Sequence, residues 1–416
     1  MAKPTIRFKG YTEDWEQRKL SELATMHARI GWQNLRTSEF LDAGDYMLIT
    51  GTDFEDGKVN YSTCHYVEKE RYDQDKNIQI KNGNILITKD GTLGKVAYVE
   101  GLSLPATLNA GVFNVEVKDE ENETDSKYLF QFLKAPFLMD YVSKKATGGT
   151  IKHLNQNILV DFPIATPSKA EQVRIGEYFS NLDNLITLHH RKCEETKILK
   201  KYMLQKMFPQ DGQKVPEIRF KGFTEDWEQR KLGDIYGSIG NAFVGTATPY
   251  YAEQGHFYLE SNNVKDGQIN HNSEIFINDE FYEKQKDKWL HTGDMVMVQS
   301  GHVGHAAVIP EELDNTAAHA LIMFRNPKEK IEPYFLNYEY QTDKAKKKIE
   351  NITTGNTIKH ILASDMQEFV VDVPKYKEQK VIAGYFCNID HLITLHQRKC
   401  EELKNIKKFM LQNMFV

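Results

Sequence analysis

The sequence predicts an α+β protein with two similar globular domains, joined by two long helices that form an antiparallel coiled coil with pseudo-twofold symmetry. Three observations support this fold class. The stretch RFKGYTEDWEQRKL at residues 7–20 returns as RFKGFTEDWEQRKL at 219–232, with thirteen of fourteen residues identical. A stretch without Gly or Pro at 178–208 returns at 385–415 with 22 of 31 residues identical. Strand patterns separated by Gly-containing turns fill both intervening segments.

The chain is therefore an internal duplication with a period of about 207–212 residues. Two copies are too few, and the period is too long, for a solenoid. A chain of 416 residues also exceeds the usual size of one hydrophobic core. The predicted boundaries are 1–166 for the first globular domain, 167–210 for the first helical spacer, 211–373 for the second domain and 374–416 for the second spacer.

The two copies agree at their ends and diverge in between. Residues 21–146 and 233–353 share mainly a skeleton, in which GNILITKDGTLGKVAYV at 83–99 matches GDMVMVQSGHVGHAAVI at 293–309. Similarity returns at TGGTIKHL (147–154) and TGNTIKHI (354–361). Two modules that share a mechanical role and read different ligands would diverge in this way. Faster drift of surface loops is the alternative explanation.

Each long helix carries an apolar stripe in an a/d register. In the first copy the stripe comprises Ile175, Phe179, Leu182, Ile186, Cys193, Met203 and Met207, and in the second Ile382, Phe386, Ile389, Ile393, Cys400, Leu403, Met410 and Met414. Forty helical residues span about 60 Å, and a single helix of that length needs a partner for its stripe. The two stripes are predicted to pair with each other. The alternative is two separate helices, each packed on its own domain.

The segments between the repeats are predicted to be short strands with intervening helices. The strand segments are 46–62, 83–100 and 110–119 in the first copy and 256–270, 293–309 and 319–326 in the second. Helices are predicted at about 126–146 and 332–350. Each middle segment is thus an α+β globule.

Composition excludes several classes of protein. No run of eighteen apolar residues exists, and the N-terminal residues lack the features of a signal peptide, so a cytoplasmic protein is predicted. Cys64, Cys193, Cys387 and Cys400 lack metal-binding spacing and are predicted to be reduced thiols. A net charge of −6 means that any contact with a nucleic acid must come from local basic patches.

No catalytic, cofactor-binding or metal-binding motif is found. KDGTLGK at 89–95 is too short for a phosphate-binding loop, Val96 replaces the required hydroxyl residue, and the second copy has His305 in place of the lysine. A hairpin loop is predicted instead. His302 and His305 are three residues apart, but no Cys or carboxylate cluster accompanies them, which argues against a metal site.

These residues carry a resemblance to a known family. The repeated segments from Pro4 to Leu20 and from Pro216 to Leu232, the glycine skeleton at 83–99 and 293–309, and the duplicated helix sequences resemble the specificity (S) subunit of type I restriction-modification systems. The resemblance implies two target recognition domains, each reading one half of a bipartite, asymmetric sequence in double-stranded DNA. It also implies that methylation and ATP-driven cleavage belong to partner subunits, two for modification (M) and two for restriction (R).

Base readout requires polar side chains on loops, while Lys and backbone N–H groups hold phosphates. The predicted DNA contacts of the first domain are Thr52, Asp53, Lys89, Thr92, Lys95, Lys152 and His153. The matched residues of the second domain are Asn262, Asn263, Gln299, His302, His305, Lys359 and His360. Differences at matched positions suit different half-sites, whereas the identical Lys152 and Lys359 suit phosphates. A solvated loop position is the alternative for each residue.

Trp15 and Trp227 are predicted to brace the junction between domain and helix, because an identical segment cannot distinguish two targets. Two other functions stay open from the sequence. One is a tandem scaffold protein that binds protein or sugar ligands. The other is a nuclease or methyltransferase with an unrecognised active site.

Overall fold

A computed structural model describes residues 4–30, 34–145, 153–355 and 359–415. The chain divides into two compact units. Unit 1 comprises Met1–His190 with Arg398–Val416, and unit 2 comprises Arg191–Gln397. Each unit therefore combines one globular region with parts of both long helices, so the unit boundaries cut across the predicted spacers. None of the helices in the described ranges has the length and apolar content needed to cross a bilayer.

Unit 1 is built on small sheets and short helices. Its elements in chain order are β1 (Glu16–Lys19), α1 (Leu20–Leu23), β2 (Ala24–Ala28), β3 (Tyr46–Ile49), β4 (Phe54–Glu55), β5 (Lys58–Val59), β6 (His65–Val67), α2 (Lys69–Asp73), β7 (Gln79–Ile80), β8 (Ile85–Thr88), β9 (Val96–Tyr98), β10 (Ala106–Leu108), β11 (Val112–Val117), α3 (Ser126–Lys134), α4 (Phe137–Lys145), α5 (Gln156–Val160), β12 (Pro163–Thr166) and α6 (Lys169–Lys206). The sheets have the strand orders β1-β12, β6-β3-β10-β7 and β2-β11-β8-β9-β5-β4.

Unit 2 repeats this order with small changes. Its elements are β13 (Glu228–Lys231), α7 (Leu232–Ile235), β14 (Tyr236–Asn241), β15 (Tyr251–Ala252), β16 (His256–Leu259), β17 (Val264–Lys265), β18 (Gln268–Ile269), β19 (Phe276–Ile277), α8 (Asp279–Lys284), β20 (Met295–Val298), β21 (Ala306–Val308), β22 (Ala317–Ala318), β23 (Leu321–Pro327), α9 (Pro333–Tyr340), α10 (Asp343–Ile352), α11 (Ala363–Glu368), β24 (Val370–Val373) and α12 (Tyr376–Asn413). The predicted strand segments all contain strands, so the α+β fold class is confirmed.

The single helices predicted at 126–146 and 332–350 are each two helices. In unit 1 the break falls at Ala135, which is extended and precedes Pro136, because a residue before proline is disfavoured in the helical region. In unit 2 Thr342 is extended, and its side chain accepts a hydrogen bond from the Ala345 N–H. Thr342 therefore caps a new helix, which the apolar spacing alone did not indicate.

The long helices pack antiparallel within each unit. In unit 1 Lys407 on α12 pairs with Asp183 on α6 at 2.5 Å, and the Cys400 thiol lies 3.9 Å from the Ile186 carbonyl. In unit 2 Lys200 on α6 pairs with Asp390 on α12 at 2.7 Å. Residues further along α6 contact residues earlier in α12, as expected for two helices that run in opposite directions. The predicted antiparallel pairing is thus confirmed.

The predicted seam is mostly buried, although Ile186, Met203, Ile393 and Met410 are only partly buried. Ile175, Phe179 and Cys193 are buried, but Met203 is only partly buried and the next residue, Leu204, takes its place in the core. The register drifts because a straight helix has 3.6 residues per turn and gains about 20° per heptad over a strict seven-residue repeat.

The repeated N-terminal segments join the ends of both long helices. In unit 1 the Arg7 guanidinium makes two 2.7 Å hydrogen bonds to Glu171 in the first turn of α6, and the Ile6 N–H donates to the Asn413 carbonyl at the end of α12. The buried Trp15 ring packs edge-to-face on Tyr128 of α3.

Unit 2 repeats these contacts with its own copy of the segment. Arg219 makes the same pair of 2.7 Å bonds to Glu378 at the start of α12, and the Ile218 N–H donates to the Lys206 carbonyl at the end of α6. The sequence is conserved between the copies because each segment performs the same joining task. The bracing role predicted for Trp15 and Trp227 agrees with the packing of Trp15 on Tyr128 and of Trp227 on Phe208, which follows the end of α6.

A buried carboxyl group distinguishes the core of unit 2 from that of unit 1. Glu339 on α9 accepts one hydrogen bond from the Asp372 N–H at 2.7 Å, and its other oxygen has no partner. Burial raises the pKa of Glu339 to about 8. The matched residue in unit 1 is Phe132, which is also buried.

Replacing Glu339 by Gln is expected to remove a pH dependence from unfolding. Between about pH 4.5 and pH 8 the folded protein keeps a proton on Glu339 that the unfolded chain releases, so the free energy of unfolding falls as pH rises through this window. The slope is about 1.4 kcal/mol per pH unit. Denaturant unfolding at several pH values measures it, and an equal pH slope in the Glu339→Gln variant would contradict the assignment.

Candidate nucleic-acid interface

The predicted reading loop of unit 1 lies at one edge of the six-stranded sheet. Ala28 of β2 pairs with Phe113 of β11, which pairs with Ile87 of β8, so β2 and β8 end at the edge where β11 begins. The turn at 89–95 leaves β8 there. The Thr88 hydroxyl donates to the Thr92 carbonyl at 2.5 Å and accepts from the Lys95 N–H at 2.9 Å. Thr92 and Lys95 are exposed on this closed turn, which is the predicted hairpin loop.

The segment that begins at His153 lies beside this turn. The Leu154 N–H donates to the Lys89 carbonyl at 2.9 Å, and the His153 Nδ1 lies 2.6 Å from Asp90. The Lys89 ammonium sits 5.5 Å from the centre of the Phe113 ring. The structure thus brings Lys89, Thr92, Lys95 and His153 together, while Lys152 lies outside the described residues.

A short 3-10 turn at Gly51–Asp53 adds Thr52 to the same edge. Gly51 packs against the Thr88 methyl group, which leaves no room for a Cβ at residue 51. Thr52 is exposed, but Asp53 is only 4% exposed. The Asp53 carboxylate accepts from the Thr50 N–H at 2.7 Å and from the Thr63 hydroxyl at 2.8 Å. Its contacts hold the turn together, which gives Asp53 a structural role.

Unit 2 builds the same turn with an amide. Asn263 is 1% exposed, accepts from the Glu260 N–H at 3.0 Å and donates to the Asn270 carbonyl at 3.1 Å. The neighbouring Asn262 is exposed. In both units the first polar residue of the turn therefore faces solvent and the second is used internally.

The reading loop of unit 2 follows β20 and occupies the matching edge. Asn241 of β14 and Met297 of β20 both pair with Ile322 of β23, so the turn at 299–305 leaves the sheet beside the end of β14. The Ile361 N–H donates to the Gln299 carbonyl at 3.0 Å, as Leu154 does to Lys89 in unit 1.

The segment at 359–361 completes this edge. The Gly301 N–H donates to the Lys359 carbonyl at 3.2 Å, and His360 exchanges two backbone hydrogen bonds with Thr354. Lys359 and His360 are exposed, and the Lys359 ammonium lies 3.3 Å from Glu350. Gln299, Lys359 and His360 are thereby held next to the turn that carries the two histidines.

His302 and His305 line a cleft of about 330 Å³ together with Lys346 of α10 and Lys359. Burial lowers the pKa of His305, and its Nδ1 lies 3.2 Å from the Asp266 N–H, which donates to it. His305 is therefore neutral near pH 7 and presents its other ring nitrogen as a donor. Within the described residues no group of three or more His, Cys, Asp or Glu side chains could hold a metal ion.

The glycines of the shared skeleton permit a close approach between turn and helix. Gly94 and Gly304 have φ values of +71° and +88°. A Cβ at Gly94 would collide with the Met139 sulfur, and a Cβ at Gly304 would lie 2.9 Å from Ile349. Only glycine combines this backbone conformation with the missing side chain.

The two edges share a backbone frame and differ in their polar side chains. Thr52, Lys89, Thr92 and Lys95 in unit 1 correspond to Asn262, Gln299, His302 and His305 in unit 2. Each set offers hydrogen-bond donors and acceptors of a different kind on loops fixed by equivalent backbone bonds. Such an arrangement can bind two different sequences of polar groups.

Several residues at these edges were not identified from the sequence. Lys346 lies in the charged run of α10, which reads as a solvated helix face, yet it lines the histidine cleft. Ile30 and Val244 follow β2 and β14 at the same edges and are 52% and 60% exposed. The unusual exposure of an apolar side chain after a strand shows only in the structure.

Comparison with known proteins decides the family. The family model described as the type I restriction modification DNA specificity domain matches twice, at residues 12–197 and 224–405. The chain belongs to this specificity-domain family. The two matches correspond to the two copies of the internal duplication, as expected for a specificity subunit.

Relatives within the specificity-domain family match most of the chain. The putative type I restriction enzyme MjaX specificity subunit of Methanocaldococcus jannaschii is 26% identical over 408 residues, which are 95% of this chain and 91% of that protein. The type I restriction enzyme EcoBI specificity subunit of Escherichia coli is 21% identical over 72% of this chain and 65% of that protein.

A solved structure supports the fold. The crystal structure of the S subunit of a type I restriction-modification system from M. genitalium matches with a TM-score of 0.65 at 14% identity, over 100% of this chain and 99% of that one. A chain from a structure concerned with complex assembly and conformational transition of the type I R-M system matches with a TM-score of 0.52 at 16% identity, over 97% of this chain and 98% of that chain.

Proposed function

We propose that this chain is the sequence-specific DNA-binding subunit of a type I restriction-modification complex, in which each unit reads one half of a bipartite, asymmetric target. The observation that carries the proposal is the pair of matched sheet edges. Their backbone frames agree, whereas their exposed polar side chains differ. Two readers with one frame and two sets of side chains suit two different half-sites.

The side chains at each edge suit the chemistry of base edges and phosphates. In unit 2, the exposed Asn262 can pair with adenine, and a neutral His305 can donate one hydrogen bond into the major groove. Gln299 is proposed only as a neighbour of these contacts, because its amide oxygen is buried. In unit 1, Lys89 and Lys95 suit guanine or phosphate, and Thr92 can donate or accept. Asp53 and Asn263 are left out of this proposal because their side chains hold the turns together.

The proposed role is recognition without catalysis. Methylation and ATP-dependent cleavage would then belong to partner subunits, two for modification and two for restriction. The long helices are proposed to set the spacing between the half-sites and to dock the modification subunits. The MjaX and EcoBI relatives carry the name of specificity subunits of restriction enzymes, which supports this division of labour.

A second apolar stripe on each long helix provides a docking surface. Unit 1 exposes Leu185 and Leu188 on α6 with Ile406 and Phe409 on α12, and unit 2 exposes the matched residues, Leu392 and Leu395 on α12 with Leu199 and Tyr202 on α6. These side chains are between 37% and 54% exposed. We assign this surface, the outer stripe, to helices of the modification subunits, one subunit per unit.

The outer stripe is repeated in both units, which supports the binding of one modification subunit to each unit. Between the apolar pairs, Lys192 and Glu195 form a 3.0 Å ion pair, and Lys399 and Glu402 form the same pair in the second copy. Along each helix the apolar pairs lie fourteen residues, or two heptads, apart. Apolar pairs at such a multiple of the heptad, with charges between them, are typical of helices that pack against further helices.

Mapping methylated sites across a genome tests the proposal directly. Cells that express the modification subunit with this chain are expected to methylate a bipartite sequence, and cells without the chain are not. Methylation of the same sites in the absence of this chain would reject the proposed function.

A further inference from the structure

A second basic cavity lies next to the histidine cleft of unit 2. It has a volume of about 190 Å³, and it is lined by Lys197 and Lys201 from α6, by Lys346 from α10 and by the Gly304–His305 turn. Gly304, His305 and Lys346 also line the histidine cleft, so the two concavities adjoin. A strip of basic groups therefore runs from Lys359 past Lys346 to α6.

The lysines of this cavity differ in whether a carboxylate forms an ion pair with them. Lys200 pairs with Asp390 at 2.7 Å, and Lys197 pairs with Glu194 at 2.8 Å. Lys201 and Lys346 are exposed, and no carboxylate among the described residues lies within 4.0 Å of either ammonium group. Asp266 and Asp343 also line the cavity, but neither forms an ion pair with these two lysines. Within the described part of the chain, Lys201 and Lys346 thus face the cavity without an ion-pair partner.

We infer that this cavity binds the DNA backbone beside the half-site read by unit 2, with Lys201 and Lys346 contacting phosphates. The inference rests on the proposed function and extends its contact surface to α6. Compact ammonium groups on flexible stems suit phosphate contacts, which supply affinity and carry no direct sequence information. The strip then holds the duplex while the loop residues contact base edges.

Unit 1 lacks an equivalent of one of the two lysines. The residue matched to Lys201 is Lys408, but the residue matched to Lys346 is Met139, whose side chain packs on Gly94. An apolar side chain thus lies beside the turn of unit 1 where unit 2 has a cation. The two units are expected to contribute unequally to backbone binding.

The test compares salt dependence of DNA binding for the complete complex with modification subunits. The double variant Lys201→Ala with Lys346→Met is expected to lower the slope of log K against log salt by about 2, since each phosphate contact contributes about 0.9. Binding to target and to unrelated duplexes should weaken by the same factor, and the methylated sequence should not change. Lys408→Ala is the matched control and should change the slope by at most about half as much.

An unchanged slope in the double variant would overturn the inference. A changed target sequence would also overturn it, because the lysines would then read bases. Loss of a modification subunit from the complex would overturn it as well, because the lysines would then dock that subunit. The proposed function is judged separately by the unsubstituted complex. If the unsubstituted complex binds its target and the double variant has the same salt slope as that complex, this inference fails and the proposed function stands.

Discussion

Replacing residues 233–353 by residues 21–146 is expected to give a chain whose DNA target has the same sequence in both halves. The exchanged segment carries the reading loops and the helices that pack beneath them. The frame that receives it is nearly identical in the two units, from the Arg7–Glu171 and Arg219–Glu378 pairs to the helix pairs Lys407–Asp183 and Lys200–Asp390.

One further substitution makes this exchange compatible with the core. Asp372 on β24 lies outside the exchanged segment and pairs with Lys344 at 2.6 Å. The exchange replaces Lys344 by Phe137 and Glu339 by Phe132, which would leave the buried Asp372 without its ion pair. Asp372→Ala, which restores the matched residue Ala165, should accompany the exchange.

Genome-wide mapping of methylated sites measures the result. The half-site of unit 1 is expected to appear twice, and the other half-site should disappear. The reciprocal exchange, 21–146 replaced by 233–353 with Ala165→Asp, is the matched control and should duplicate the second half-site. If either exchange altered both halves, the units would not be independent readers.

The duplicated frame was predictable because its residues serve the same contacts twice. Thirteen identical residues in fourteen signalled a shared mechanical task, and the bonds of Arg7 and Arg219 explain that identity. The strands and the helix pairing also followed from spacing alone. These features depend on patterns that extend over many residues, so a single irregularity does not hide them.

The candidate site was less predictable because single residues decide it. Thr52 and Asp53 are adjacent polar residues of one turn, and only the turn geometry makes one exposed and the other buried. Lys346 looked like one of several lysines on a solvated helix, and its place in the cleft depends on how α10 packs against Gly304. Residue types identify candidates, but packing determines which of them face a ligand.

The frame also explains why the copies share more than a fold. Each N-terminal segment bonds to the start of one long helix and to the end of the other, so a change in either helix must suit the segment. The outer stripe is subject to no such internal demand, yet it keeps apolar residues at all eight positions. The proposed external partner, bound alike by each unit, would account for this retention.

Substituting the outer stripe with aspartate is expected to release the modification subunits without unfolding the chain. Leu185→Asp with Leu188→Asp should weaken docking on unit 1, and Leu392→Asp with Leu395→Asp should weaken docking on unit 2. Burial of a leucine contributes about 1.5–3 kcal/mol, so the loss of two gives about a hundredfold weaker binding or more. Exposed positions usually tolerate substitution within about 0.5 kcal/mol of stability.

The mass of the assembled complex measures this effect. Each double variant should retain one modification subunit, and the fourfold variant should retain none. Thr187→Asp, on another face of α6 and also exposed, is the control and should leave two subunits bound. Because the double variants act on matched positions in different units, loss of both subunits from either one would mean that the units do not dock their partners separately. Full retention in the fourfold variant would place the docking surface elsewhere.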